Sequence, residues 1–305
     1  MGTTSGAFLA KSVMPFFAAS NQDHSVMTML LSVAALILVA AVAFILTQRS
    51  HVTKSGQSAQ VKVQLSVTVG GGTHIGGRAN NEDRYLIKVV PPASDPRRVG
   101  MVVIADGMGG MAAGETAATT VIEAFDEVDP TVSAWFSDGI LGGNNKMAAL
   151  FAADYSLKGF GTTTVAARFC EDEIELGSCG DSHFFRLRGG QLERLTEEHS
   201  LGAMLVRNGQ LSASQLSSSP LRNTLYRCVG GTAAAPEWDS LKFPMQSADV
   251  YLVCSDGLVD YSSLTSVQQI LSSGKSAQEI AHDLLAMAVA DNTRDNATAV
   301  VMLVS

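Results

Sequence analysis

Residues 103–110 read VIADGMGG, an apolar run that stops at Asp106 and is followed at once by glycines. Asp-Gly is one of the strongest turn signals, so the stretch by itself predicts a buried strand that ends in a tight turn. Two further apolar runs, EIELGSCGD and DVYLVCSDG, end in the same way at Asp181 and Asp256. Because aspartates at strand ends can meet at one edge of a sheet sandwich, these positions predict a shared cluster of carboxylates.

The rest of the chain indicates the fold class. From residue 61 onward, short apolar or alternating runs are separated by glycines, a pattern typical of strands. Apolar residues at helical spacing predict helices over 115–128, around 201–209 and over 276–292. Most successive strands have no helix between them, which favours antiparallel sheets with packed helices over a doubly wound parallel sheet. We therefore predict an α+β domain over residues 61–305.

Residues 26–46 form an uninterrupted apolar stretch without a charge, about as long as a helix that crosses a hydrocarbon core. We interpret it as an N-terminal transmembrane helix, preceded by an extramembrane segment, 1–25, and followed by a polar juxtamembrane linker, 47–60. The helix is followed by the basic residues Arg49, Lys54 and Lys62. The positive-inside rule then predicts a single-pass membrane protein whose C-terminal domain is cytoplasmic.

Composition excludes some classes of function. The 305 residues carry a formal net charge of −8, so broad nucleic-acid binding, which needs a basic face, is not expected. The four cysteines have neither CxxC spacing nor the density of a disulfide scaffold. We expect free thiols in a reducing compartment.

Further acidic positions extend the carboxylate cluster. Asp295 directly precedes the final apolar run, and Glu82 and Asp83 lie ahead of the run YLIKVV. Carboxylates brought close together repel one another unless a cation neutralises them, and an all-oxygen ligand set suits Mg²⁺ or Mn²⁺ rather than zinc. A site with two such ions can generate a nucleophile and clamp the oxygens of a phosphoryl group. The pattern therefore indicates phosphate-ester chemistry.

The opening stretch also supports a competing interpretation. GMGGMA, residues 107–112, matches a dinucleotide-binding fingerprint placed after a strand and before a helix. However, Glu127, about 20 residues further on, does not end a second parallel strand, and the strand–helix alternation of that fold is missing. We therefore favour the metal-site interpretation.

Several short blocks occur in an order that resembles one protein family. They are RANNED (78–83), ADGMGGMAAGE (105–115), GTTT (161–164), CGDS (179–182), LTEEHS (195–200), NTLYRCVGG (223–231), SDGLVD (255–260) and DNAT (295–298). Over residues 61–305 the chain resembles the metal-dependent serine/threonine protein phosphatases of type 2C, particularly the bacterial members. The resemblance implies a four-layer α-β-β-α sandwich of two antiparallel sheets flanked by helices, with the metal site in a channel at one edge.

The resemblance also implies roles for individual residues. Asp106 resembles the carboxylate that bridges two Mn²⁺ or Mg²⁺ ions, one of which also takes the Gly107 carbonyl. Asp256 and Asp295 resemble ligands of the second ion. Arg78 is similar to the phosphate-binding arginine of the family, a role that suits its permanently charged fork.

Three more acidic residues complete the implied metal site. Glu82 or Asp83 is expected near the second ion, either as a direct ligand or through water. Asp181, together with Asp256, resembles the pair that holds a third and weaker ion in bacterial members. With these acids intact, the sequence predicts an active enzyme.

The implied activity is hydrolysis of phosphoserine and phosphothreonine in proteins by a metal-activated hydroxide, without a phosphoenzyme, in opposition to a cognate serine/threonine kinase. Met108 and Met111 stand where relatives often carry histidine, so the sequence names no side-chain proton donor. Residues 201–222 correspond to the variable flap beside the active site. Two alternatives stay open: a catalytically silent phosphoprotein-binding scaffold of the same fold, and a metal phosphoesterase that acts on small phosphate esters.

Overall fold

The strands of the described residues form two antiparallel sheets. The computed structural model describes residues 65–91, 99–110, 112–157, 159–216, 219–231 and 234–305, and they belong to one compact unit, Gln64–Ser305. The five-stranded sheet has the order β1 (Val67–His74), β12 (Ala297–Val304), β11 (Val250–Cys254), β7 (His183–Arg188) and β8 (Gln191–Arg194).

The seven-stranded sheet is built around β3, the strand that carries Asp106. Its order is β10 (Asp239–Pro244), β6 (Glu173–Cys179), β5 (Thr164–Cys170), β3 (Gly100–Met108), β4 (Gly161–Thr162) and β9 (Val229–Gly230), and β2 (Asp83–Val89) also pairs with β3. The antiparallel register of β2 and β3 places Asp83 opposite Asp106. The backbones of Asp83 and Asp106, two of the predicted acids, are therefore adjacent in the sheet.

Helices cover the outer face of each sheet. The helices α1 (Ala112–Glu127) and α2 (Trp135–Ala153) pack on the seven-stranded sheet, and a 3₁₀ turn (Tyr155–Leu157) follows them. The helices α5 (Asp256–Val259), α6 (Leu264–Leu271) and α7 (Ala277–Ala290) pack on the five-stranded sheet. The flap contains α3 (Leu201–Arg207) and α4 (Ala213–Leu216).

Alternation along the strands sends side chains into separate cores. In β3, Val102 and Ile104 face the core between the two sheets, whereas Met101 and Val103 face α1 and α2. The strands β11 and β12 divide their side chains in the same way between the central core and the helices α5 to α7. Burial of both faces explains why the strands are almost continuously apolar although the sheets are antiparallel. The predicted α+β sandwich of two antiparallel sheets flanked by helices is confirmed.

The predicted transmembrane helix, 26–46, falls outside the described residues, as do segments 1–25 and 47–60. Of the helices that the structure does describe, none combines the length and the apolar character needed to cross a bilayer. The longest, α2, has 19 residues and includes Asp138 and Lys146.

Helix α2 was missed by the sequence analysis. Its first half carries several glycines, which lower helix propensity. The structure explains them by close packing against α1: a Cβ at Gly139 would lie 2.4 Å from the ring of Phe125, and one at Gly143 would lie 2.9 Å from Cγ2 of Val121. Tertiary packing therefore outweighs weak local propensity in this helix.

A charged hydrogen-bond network lies at the start of β11. The Asp249 side chain is 1% exposed and accepts two hydrogen bonds from Arg188, at 2.7 and 2.6 Å, and one from the Tyr251 hydroxyl at 2.6 Å. Burial alone would raise the pKa of Asp249, but these hydrogen bonds outweigh it and hold the pKa below its ordinary value. The fold therefore stabilises the ionised carboxylate.

We expect Asp249→Asn to lower the free energy of unfolding by about 2 kcal/mol at neutral pH, because the neutral amide replaces a charged acceptor of several hydrogen bonds. The folded-state pKa lies below the unfolded value of about 3.9, so the contribution is complete above that value and is lost as the pH falls through the folded pKa. In urea unfolding, the difference between wild type and variant should be constant near neutrality and shrink below about pH 4.

The exposed ion pair of Arg186 and Glu193, whose carboxylate side chain is 55% exposed, offers a matched control. Glu193→Gln should change the unfolding free energy by less than about 1 kcal/mol at any pH. A deficit of the Asp249 variant that persists unchanged in acid would contradict the role assigned to this carboxylate.

Candidate active site

The predicted site residues meet in one pocket of about 200 Å³. The pocket is lined by Arg78, Glu82, Asp106, Gly107, Met108, Gly109, Gly110, Thr163, Asp181, Asn223, Leu225, Asp256, Asp295 and Asn296. Of the residues predicted from the sequence to form the site, Asp83 does not line the pocket and is fully buried. The lining combines strand ends from both sheets with the end of the flap.

The turn signal at Asp106-Gly107 was misplaced in the sequence analysis. Strand β3 continues through both residues to Met108, because this end of the strand pairs with β4. The turn follows at Gly109, with φ 131°, and Gly110, with φ 78°, backbone conformations that favour glycine. Asp106 therefore lies within a rigid strand rather than at the corner of a turn.

Two buried threonines hold the peptide groups on both sides of Asp106. The Asp106 carbonyl accepts hydrogen bonds from the Thr163 N–H at 2.9 Å and from the Thr162 hydroxyl at 2.8 Å. The Asp106 N–H donates to the Thr163 hydroxyl at 3.2 Å. The backbone from which the Asp106 carboxylate extends is thus fixed by hydrogen bonds of its own.

Gly107 and Gly114 bring the start of α1 close to the end of β3. A Cβ at Gly107 would lie 2.0 Å from the Gly114 carbonyl oxygen. A Cβ at Gly114 would lie 2.3 Å from Oε2 of Glu82 and 2.9 Å from the Gly107 carbonyl oxygen. Because Gly114 has no side chain, the Glu82 carboxylate and the Gly107 carbonyl can both lie close to its Cα.

Asp83 lies beneath the pocket and links the two sheets. Its Oδ2 accepts hydrogen bonds from the hydroxyls of Ser255, at 2.7 Å, and Thr298, at 2.6 Å. Burial raises the pKa of Asp83 to about 6, although these hydrogen bonds lower it. The other oxygen, Oδ1, is buried without a hydrogen-bond partner among the described residues. Such an oxygen is costly unless a cation or a water satisfies it.

Asn296 positions the loop that carries Arg78 and Glu82. Its amide donates to the carbonyls of Ile75 and Asn80, at 2.8 and 2.9 Å. Its carbonyl accepts a hydrogen bond from the Glu82 N–H at 2.8 Å. One buried amide therefore holds the candidate phosphate-binding residue and a candidate metal ligand in the same loop.

Arg78 reaches Asp295 at the mouth of the pocket. The guanidinium donates to Oδ2 of Asp295 at 2.6 Å, and the Arg78 side chain is 51% exposed. Partial burial lowers the pKa of Arg78, but nearby carboxylates, foremost Asp295, outweigh it and raise the pKa. A guanidinium has five N–H donors, so most of them stay available for an anionic ligand.

Asp181 lies in a turn that packs against Thr163. Gly180 has φ 117°, and a Cβ there would lie 2.6 Å from Cβ of Thr163. The hydroxyls of Thr163 and Ser182 are 2.7 Å apart. Thr163 therefore contacts both ligand-bearing segments, at Asp106 and beside Asp181.

The carboxylates of the pocket raise one another's pKa. Burial, followed by the neighbouring carboxylates, raises the pKa of Asp106 and Asp256 well above the ordinary value. Burial and then Glu198 and other acids raise the pKa of Asp181 to about 7, against an opposing backbone hydrogen bond. The ionised forms therefore repel one another, and a cation in the pocket would relieve that repulsion.

The chemistry of the lining fits hard divalent cations. Its candidate ligands are carboxylates and one backbone carbonyl, and the described lining contains no histidine or cysteine. Among the described residues, no group of three or more His, Cys, Asp or Glu side chains is arranged so that it could hold a metal ion. Mg²⁺ usually keeps several waters beside one or two carboxylates, so a site for this ion does not need three protein side chains around one point.

The lining offers no evident general acid. Met108 and Leu225 supply its apolar part, and Met111 falls outside the described residues. His199 and His183, from neighbouring sequence blocks, are buried and are not among the lining residues. Among the described lining residues there is no histidine to serve as proton donor, so the donor stays unassigned.

Sequence analysis missed the residues that hold the candidate ligands in place. These are Thr163, Ser255, Asn296 and Thr298. All of them lie within the blocks GTTT, SDGLVD and DNAT, which were the available signal. Their roles depend on contacts between segments that are far apart along the chain, so the blocks alone could not assign them.

Comparison with known proteins agrees with this geometry. The family model described as protein phosphatase 2C matches residues 70–286. The serine/threonine phosphatase stp of Listeria welshimeri is 32% identical over 207 residues, which cover 65% of this chain and 82% of that protein. The serine/threonine protein phosphatase PstP of Mycobacterium tuberculosis is 33% identical over 228 residues, which cover 73% of this chain but 44% of that protein.

Solved structures extend the similarity to the fold. The serine/threonine phosphatase of S. agalactiae has a TM-score of 0.70 at 29% identity, covering 78% of this chain and 99% of that one. The catalytic domain of PstP in complex with two manganese ions has a TM-score of 0.67 at 30% identity, covering 79% of this chain and 99% of that one. The similarity thus includes nearly the whole of each of these phosphatase chains.

We expect Thr163→Val to lower the free energy of unfolding by about 1–2 kcal/mol, because it removes a buried hydroxyl that contacts both Asp106 and Ser182. Thr163→Ser keeps the hydroxyl and should recover most of the loss. The control is Thr265→Val, at an exposed position of α6. Urea denaturation of the three variants measures the effect, and equal losses for the Val and Ser variants would refute the hydroxyl's role.

Proposed function

The chain belongs to the protein phosphatase 2C family, and we propose that it hydrolyses phosphoserine and phosphothreonine in proteins at a site for two Mn²⁺ or Mg²⁺ ions and a third, weaker one. The observation that carries this proposal is the meeting of Asp106, Asp256 and Asp295 with Arg78 in one pocket. Relatives that are themselves serine/threonine phosphatases support the substrate class.

Oxygen atoms from both sheets would hold the ions. Asp106 would bridge two of them, the Gly107 carbonyl would join one, and Asp256 and Asp295 would hold the other. When bound, the ions supply an activated water as nucleophile and neutralise charge on the phosphoryl oxygens. The contribution of the chain is rigidity, because the backbone of Asp106 is fixed by Thr163 before any ligand arrives. The two manganese ions in the PstP structure support a site for two ions.

Other residues complete the proposed metal site. Glu82, held by the amide of Asn296, lies beside the space left by Gly114 and would contact an ion directly or through water. Asp83, beneath the pocket, would act through a water that satisfies its orphaned oxygen. Asp181 would hold the third ion together with Asp256.

Arg78 would bind the phosphoryl group of the substrate. Its guanidinium lies at the pocket mouth, half exposed, and one N–H bonds to Asp295. The planar fork matches two phosphate oxygens, and its charge does not depend on pH in the physiological range. Because Arg78 contacts a candidate metal ligand, the phosphate and the ions would be adjacent.

The two alternative functions explain less. A catalytically silent scaffold would not need the full set of acids around one pocket. A phosphoesterase for small esters would use the same chemistry, but the relatives that match this chain are serine/threonine phosphatases. We therefore favour protein substrates, in opposition to a cognate serine/threonine kinase.

We also propose that residues 26–46 anchor the enzyme in a membrane as a single-pass protein. The uncharged apolar length of this segment supports the anchor. The basic residues that follow it support a cytoplasmic catalytic domain, joined to the helix through the linker 47–60. Phosphoproteins near that membrane would then be the natural substrates.

We expect the full chain, purified in detergent, to release phosphate from a phosphothreonine peptide only when Mn²⁺ or Mg²⁺ is added. Asp106→Asn should lower kcat/KM by about 100-fold or more, because it removes the carboxylate charge that would bind the ions. Asp126→Asn, at a side chain that is 64% exposed in α1, is the matched control. Metal-independent activity, or full activity of the Asp106 variant, would rule out the proposal.

A parallel assay with a small aryl phosphate separates the remaining alternatives. A protein phosphatase should have the higher kcat/KM for the phosphopeptide, whereas an esterase for small substrates should prefer the aryl ester. A silent scaffold should bind the phosphopeptide and hydrolyse neither.

We expect the full chain to sediment with membranes after cell fractionation and to need detergent, rather than high salt, for release. A variant that lacks residues 26–46 should move to the soluble fraction, because the remaining sequence has no comparable apolar stretch. Protease added to sealed, right-side-out vesicles should leave a cytoplasmic catalytic domain intact. Recovery of the full chain as a soluble protein would contradict the anchor.

A further inference from the structure

We propose that His199 is a positioning residue, which acts through the Gly180–Asp181 turn and thereby sets the affinity of the third cation. The inference rests on the proposed function, in which Asp181 is a ligand of that ion. In the sequence, His199 lies in the block LTEEHS (195–200) and was given no role in the site. The structure places it at a junction between the pocket and the flap.

His199 holds the peptide groups on both sides of Gly180. The His199 N–H donates to the Gly180 carbonyl at 3.0 Å, and the Gly180 N–H donates to Nδ1 of the His199 ring at 3.0 Å. The His199 side chain is 1% exposed, so neither bond competes with bulk water. Asp181 follows directly, so this two-point contact sets the direction from which its carboxylate enters the pocket.

The hydrogen bonds determine the form of the ring. A backbone N–H can only donate, so Nδ1 of His199 is an acceptor and the neutral ring carries its proton on Nε2. Nε2 then donates to Oδ2 of Asp239 at 2.9 Å. Asp239 is itself held by Arg227 at 2.9 Å. A histidine that binds a metal often donates its other N–H to a carboxylate, and this hydrogen bond fixes the orientation of the ring. Asp239 orients the ring of His199 in the same way, but here the ring supports a backbone turn instead of a metal.

The same residue closes the root of the flap, 201–222. The Tyr226 N–H donates to the His199 carbonyl at 2.9 Å, and the Leu201 N–H donates to the Thr224 carbonyl at 2.8 Å. The segments on the two sides of the flap are therefore tied together at and beside His199. A movement of Tyr226 at the flap root would therefore shift His199, and the hydrogen bonds between His199 and Gly180 would transmit the shift to Asp181.

Two substitutions separate the functions of the two ring nitrogens. In His199→Asn, the side-chain oxygen can occupy the place of Nδ1 and keep the acceptor for Gly180. In His199→Gln, the amide can occupy the place of Nε2 and reach Asp239, but the acceptor for Gly180 is lost. His282→Gln, on the exposed face of α7, is the matched control for loss of an imidazole.

The experiment is calorimetric titration of the full chain in detergent with Mn²⁺ alone, so no activity is needed. We expect His199→Gln to weaken the weakest Mn²⁺ site about tenfold and to leave the tighter sites unchanged. His199→Asn should stay within about threefold of wild type. The double variant His199→Gln/Asp181→Asn should match Asp181→Asn alone, because effects that act through one residue are not additive.

A merely structural role predicts a different pattern. Equal weakening in the Asn and Gln variants, additive losses in the double variant, or weakening of every Mn²⁺ site together would overturn the proposal. Fewer than three Mn²⁺ sites in the wild type would also overturn it while leaving two-metal phosphatase activity intact. Loss of Mn²⁺ binding at all sites in the wild type would instead refute the proposed function.

Discussion

The repulsion between carboxylates in one pocket is the constraint on which the rest of this structure depends. Burial and mutual proximity raise the pKa of Asp106 and Asp256 well above the ordinary value and that of Asp181 to about 7. Flexible segments carrying such groups would move apart. The fold instead holds the backbone beside each acid with hydrogen bonds of its own, as the threonines do at Asp106, and leaves the excess negative charge for cations to neutralise.

The pocket belongs to neither sheet alone. Asp106 comes from the seven-stranded sheet, and Asp181 lies in the loop that joins β6 of that sheet to β7 of the five-stranded sheet. Asp256 and Asp295 flank β11 and β12 of the five-stranded sheet. The buried carboxylate of Asp83, on the seven-stranded sheet, joins the two sheets by accepting hydrogen bonds from the hydroxyls of Ser255 and Thr298. Packing of the core between the sheets therefore sets the distances between the candidate ligands. A substitution that changes this packing would change those distances.

Some glycines were interpreted correctly as conformational signals, but tertiary packing changed the structure that forms at them. The glycine after Asp106 signals a turn, yet the turn follows at Gly109 because β4 extends the strand. The glycines of α2 signal a helix breaker, yet their missing side chains let Phe125 and Val121 of α1 pack against the helix. In both cases the local preference is worth about 1 kcal/mol per residue, and strand pairing or helix packing outweighs it.

The amino-acid sequence by itself determined the two antiparallel sheets with their helices, the acids that share the pocket, and the family. Strand patterning is local, and the acids lie in ordered blocks that can be read directly. Only the tertiary structure decided that Asp83 is buried beneath the pocket. It also decided that Thr163, Asn296 and His199 hold the segments that carry the candidate metal ligands. Those contacts join segments far apart along the chain, and their geometry exists only after the sheets have packed.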